Sequence, residues 1–109
     1  MEMVFLTDAG HGWLVLDTEA QSKLGLGRRD FTEFSFISRT GVIYAEEDCD
    51  AAIVIAAHIR EFGCEPDFVE HSVESANCRY YARCKGSPDW KAAHDYIKAH
   101  RAQQAVTQE

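Results

Sequence analysis

The chain contains no run of apolar residues near 18 in length, which excludes an ordinary membrane-spanning helix. Its opening, Met1-Glu2-Met3-Val4-Phe5-Leu6, has no basic stretch ahead of a long apolar core, so no secretion signal is read there and a cytoplasmic location is expected. Basic residues are also short: 11 Lys and Arg stand against 18 Asp and Glu, for a net charge of −7. Such a balance disfavours direct binding to a phosphate backbone and makes basic protein surfaces the natural partners. Complete catalytic, metal and phosphate-binding motifs are missing too. Cys64, His71, Cys78 and Cys84 lack the short C-x₂₋₄-C pairing that lets one turn supply two zinc ligands. The acidic residues lack the D-x-D-x-D-G spacing of an EF-hand. Neither a metal nor a cofactor is therefore expected. In a reducing compartment the four cysteines should remain thiols.

What remains is a globular composition, with 46% hydrophobic and 27% charged residues over 109 positions, enough for one domain spanning 1–109. Its charge is lopsided. Residues 1–54 hold ten acids and four bases, whereas residues 55–109 hold eight acids and seven bases. The densest acidic segment is Glu46-Glu47-Asp48-Cys49-Asp50, at the junction between the strand-like Gly41-Val42-Ile43-Tyr44-Ala45 and a helical stretch from Ala51 to Phe62.

Periodicity predicts the remaining elements. Gly12-Trp13-Leu14-Val15-Leu16 has the continuous apolar character of a buried strand, and Asp17 or Thr18 can cap a short helix through Leu24 that ends at Gly25 or Gly27. Phe34 and Phe36 alternate with polar residues and pair, in expectation, with Val42-Ile43-Tyr44 across a turn. The Ala51–Phe62 helix is apolar nearly all round, so it is either the central core helix or a self-association surface giving a homodimer. Phe68–Val73 and Arg79–Arg83 read as a second hairpin, and Ser87-Pro88-Asp89 opens a last helix carrying Trp90, Ala93 and Ile97 on one face. A tail over 102–109 should fray. The resulting order, β-α-β-β-α-β-β-α, predicts an α+β fold with a largely antiparallel sheet of about five strands and helices on one face, ferredoxin-like in its first six elements.

One acidic cap suffices for a helix N-terminus, and four carboxylates in five residues repel one another. Glu46, Glu47, Asp48 and Asp50 therefore form a candidate partner-binding patch, joined by His11, whose glycine neighbours allow close approach of another group. A small enzyme using His11 with Cys49 or the carboxylates is the rival reading, although carboxylates around a thiol oppose the thiolate that nucleophilic chemistry needs. An oligomeric structural module is a third. Tyr80 and Tyr81 between Arg79 and Arg83 lack the glycine-rich aromatic signature of a nucleic-acid-binding strand.

Gly10-His11-Gly12-Trp13-Leu14, Leu24-Gly25, Phe34-Ser35-Phe36 and Val42–Ala51 together resemble a GHGWL…YxEEDCDA pattern found in small uncharacterised proteins of bacteria, phages and plasmids. The resemblance spans about residues 9–63 and brings no assigned activity. The leading expectation is a non-enzymatic binding protein, such as an accessory protein of a mobile element or an anti-CRISPR-like inhibitor, whose acidic junction docks on a basic surface of a host complex.

Overall fold

The protein is described over residues 1–107 by a computed structural model. The described residues form an α+β domain of three α-helices and a six-stranded mixed sheet. In chain order they are β1 (Glu2–Thr7), β2 (Gly12–Leu16), α1 (Thr18–Leu24), β3 (Phe36–Ile37), β4 (Ile43–Glu46), α2 (Ala51–Phe62), β5 (Asp67–Ser72), β6 (Ala82–Arg83) and α3 (Trp90–Thr107). Short 3₁₀ turns occupy Arg28–Asp30 and Asn77–Tyr80.

The sheet order is β5-β1-β2-β4-β3-β6. The β1–β5 pair is parallel and the other pairings are antiparallel, so the sheet departs from an all-antiparallel one at that edge. The extra strand is β1. Helix α1 carries the chain from β2 past β4 to β3, and α2 carries it from β4 to β5, as in a split β-α-β arrangement. A ferredoxin-like sheet would pair β2 with β5 directly, but here β1 is wedged between them.

The second hairpin does not form. β5 joins β1, while β6 joins β3 at the opposite edge. The segment between them crosses the sheet and places Ala76 and Cys78 against Trp13 and Phe36. Cys78 and Cys84 consequently lie in separate clusters on opposite faces, where burial pushes both thiols up to about 11. All four cysteines are free.

Strand alternation assigns the two faces. Met3, Leu14, Leu16, Ile43 and Ala45 face the helices in the main core. Trp13, Phe36, Leu6 and Tyr44 face the other way. Helix α2 has the bounds its sequence predicts, ending at Gly63 in the left-handed region (φ 76°), where a side chain would be strained. It is sealed by the sheet, α1 and α3, and eight of its twelve residues are buried, so it serves as the central core helix and leaves little for self-association. His58 is wholly buried within it and donates from Nδ1 to the Cys64 carbonyl.

Helix α1 is capped by Asp17, which accepts from the Ala20 N–H at 2.8 Å, and ends at Gly25. Helix α3 packs Ala93 and Ile97 on α2 and continues to Thr107, through most of the segment expected to fray; positions 108–109 of that expected tail lie outside the described residues. Among the described residues no helix is long and apolar enough to cross a membrane.

Candidate functional site

The acidic segment is divided by the geometry of the chain as it leaves β4. Glu46 and Asp48 line a cleft on the face of the sheet away from the helices, together with Cys49. Glu47 lies on the helix-covered face, close to the position a Cβ on Gly12 would occupy and beside a groove lined by Phe5, Leu14 and Ile55. Asp50 turns into the core and is wholly buried. The expected four-carboxylate patch is thus not one surface, and Asp50 is not available to a partner.

Asp50 has a structural task that its N-cap position does not reveal. Its side chain makes no cap bond to α2. Its Oδ2 accepts from the Thr32 N–H (2.9 Å), the Thr32 hydroxyl (2.8 Å) and the Ser35 hydroxyl (2.5 Å), and its Oδ1 accepts from the Trp90 indole N–H (3.0 Å). The same Ser35 hydroxyl accepts from the Glu46 N–H at 3.0 Å. A buried carboxylate is tolerated when donors fill its lone pairs, and this one ties the 32–35 loop and α3 to the start of α2. Glu46 closes the intervening turn, its Oε2 accepting from the Cys49 N–H at 2.9 Å.

The cleft has a volume of about 350 Å³. Glu46, Asp48 and Cys49 share it with His11, Arg79 and Arg83, and with the aromatic residues Trp13, Phe34 and Phe36. His11 comes from the turn between β1 and β2, where Asp8 Oδ1 accepts from the Gly10 and His11 N–H groups. Both flanking glycines lie outside the positive-φ region, so handedness does not require them, and crowding is severe only at Gly12. A Cβ at Gly12 would lie 2.6 Å from Phe5 Cζ, and one at Gly10 would lie 3.3 Å from Arg79 Nη2.

The arginines were not legible as site residues. Arg79 forks onto Asp8 (Nε–Oδ2 2.8 Å, Nη2–Oδ1 2.9 Å) while its guanidinium lies 5.3 Å from the Trp13 ring centre. Arg79 and the backbone N–H donors hold the Asp8 carboxyl well below the usual carboxylate range. Arg83 donates to the Glu33 carbonyl at 2.9 Å and covers the Phe36 ring at 5.0 Å. The aromatic floor is therefore roofed by the protein's own cations, except at Phe34, which is 50% exposed. The buried Trp13 Nε1–H finds no acceptor among the described residues.

Chemically the cleft is dipolar. The Arg79 charge is matched by Asp8, the Arg83 guanidinium faces a ring and a carbonyl, and Glu46 and Asp48 line the same cleft with carboxylates. His11 and Cys49 both line the cleft, but the Cys49 thiol is pushed up, first by burial and then by the charges of Glu46 and Asp50. A thiol held in that state is a poor nucleophile. Among the described residues no three His, Cys, Asp or Glu side chains gather closely enough to hold a metal ion. Compared with known protein families, curated proteins and solved structures, the chain matches none.

Proposed function

We propose that this is a non-enzymatic binding protein whose outer-face cleft docks on a basic surface of a partner protein. The observation that supports this reading best is the pairing of Glu46 and Asp48 with the exposed ring of Phe34 around one cleft whose thiol is deactivated. A lysine or arginine of the partner would lie against the two carboxylates while its apolar stem covers Phe34, a combination that arginine-rich interfaces commonly use. His11, exposed at the mouth, contacts the same partner. Glu47 belongs to the opposite face and Asp50 to the core, so neither contributes directly.

The resemblance of residues 9–63 to small phage and plasmid proteins makes a bacterial host complex the partner class, with an anti-CRISPR-like inhibitor as one concrete form resting on that resemblance alone. The test is capture from bacterial lysate on the immobilised chain at low and high salt, followed by calorimetry with the protein so identified. Wild type should bind in a salt-sensitive way, and Asp48→Lys or Phe34→Ser should weaken binding at least about tenfold. Equal affinity for wild type and both variants would overturn the reading.

A further inference from the structure

Strand β5 ends the sheet, with β1 on one side and no strand on the other among the described residues. Every residue in it is exposed, including Phe68 at 47% and Val69 at 45%, so apolar side chains stand on both of its faces. The backbone phase follows from the bonds at its ends. The Asp67 N–H donates to the Met1 carbonyl and the Val73 N–H to the Thr7 carbonyl, so odd-numbered residues bond to β1. Phe68, Glu70 and Ser72 consequently direct their N–H and C=O groups outward.

That phase limits how a second strand can add. In an antiparallel self-pairing about a two-fold axis, outward residues must oppose outward residues. Centring the axis on Glu70 sets two carboxylates directly opposite each other, which is unfavourable. Centring it on Val69 pairs Phe68 with Glu70 of the second copy, sharing four backbone hydrogen bonds by symmetry. The same register sets Asp67 opposite His71 twice, with Val69 meeting its own copy between them on the outer face. On the helix-covered face the two Phe68 rings become diagonal neighbours, within reach of aromatic contact.

We infer that the β5 edge is a self-association surface, pairing with a second copy of this chain in the Val69-centred antiparallel register to give a continuous twelve-stranded sheet. Its occupant is set by complementarity: in this one register of the strand with itself the free backbone groups of Phe68 and Glu70 pair, Val69 meets its own copy, and each Asp67 carboxylate faces a His71 imidazole instead of another carboxylate. The surface is separate from the cleft proposed for a basic partner and stands or falls without it.

Sedimentation equilibrium of the full chain over a concentration series tests the inference. Wild type should move from the mass of one chain towards two. Glu70→Pro removes an outward N–H and leaves the bonds to β1, so it should stay single with an unchanged circular dichroism spectrum. His71→Asp, which opposes two carboxylates, should weaken association about tenfold, and adding Asp67→Lys to it should restore pairing. This exchange involves exposed side chains, so it decides the question even if the proline variant fails to fold. The inference is overturned by a wild type that stays single up to millimolar concentration, by a charge exchange that restores nothing, or by an edge that pairs only with a different protein.

Discussion

On one face of the sheet Leu14, Leu16, Ile43 and Ala45 are sealed beneath α2, whereas on the other Trp13 and Phe36 lie under a crossing loop and two arginine side chains. The first covering is apolar and continuous. The second rests on a small apolar cluster and on two polar anchors, Asp8 accepting from Arg79 and from the N–H groups of Gly10, His11 and Ala76, and Arg83 donating to the Glu33 carbonyl. Burial of apolar area stabilises in proportion to its extent and is insensitive to pH, while an ion pair near the surface is weaker and titratable. The comparison assigns stability chiefly to the helix-covered face and leaves the other free to carry a polar cleft.

The largest expected effect comes from Asp50, because it joins three segments around the helix-covered core. Asp50→Ala would leave the Thr32, Ser35 and Trp90 donors without their shared acceptor and should cost about 3–5 kcal/mol in denaturant unfolding. Asp50→Asn keeps one acceptor oxygen and should cost less. A loss below about 1 kcal/mol for the alanine variant would mean that water replaces the carboxylate and that this junction is looser than its burial implies.

The next effect separates the two faces by acid. Because its folded-state carboxyl lies below the ordinary range, Asp8 contributes stability that is complete above its unfolded value near pH 4 and is lost as pH falls from there towards the folded value. Amide protection at Ala76, Arg79 and Tyr81, taken relative to the intrinsic exchange rate at each pH, should therefore fall below about pH 4, before the amides of α2 lose protection. Glu65 is also held low, by its Arg101 partner, so acid acts on α3 as well. Asp8→Asn serves as the control, since it should expose the crossing loop at neutral pH and remove its acid dependence. If α2 and the loop lose protection together in wild type, the two coverings form one cooperative unit and the contrast fails.

The helix-covered face was the more legible of the two. α2 could be bounded from residues 51–63 alone because its apolar run, its last turn and Gly63 are local signals. α1 could be read for the same reason, from Asp17 to Gly25. Strand β1 was not, since Glu2–Thr7 is explained as a strand by partners at Gly12–Val15 and Asp67–Ser72, of which the β5 pairing is distant and parallel. The false hairpin had a similar cause: Phe68–Val73 and Arg79–Arg83 have strand composition, but their partners are β1 and β3 rather than each other. Asp50 was misread because nothing near it in sequence announces donors at Thr32, Ser35 and Trp90. The outward placement of Glu46 did have a signal in the β4 alternation, whereas Glu47 and Asp48 lie in the turn beyond that strand.

The smallest effect on stability tests the cleft most cleanly. Glu46 holds the Cys49 N–H, so Glu46→Lys mixes a lost turn contact of about 1 kcal/mol with any loss of recognition. Asp48 makes neither an ion pair nor a hydrogen bond among those found in the described residues and is exposed, so Asp48→Lys should change unfolding free energy by no more than about 0.5 kcal/mol. Glu47→Lys, on the other face, should be as mild and should leave partner binding intact. The pair of reversals therefore asks which face recognises, at equal charge and nearly equal stability. Loss of binding with Asp48→Lys alone places recognition in the outer cleft, because a partner responding only to net charge would be weakened equally by both. Equal weakening would replace the cleft with diffuse attraction, and loss with Glu47→Lys alone would move recognition to the groove beside α2.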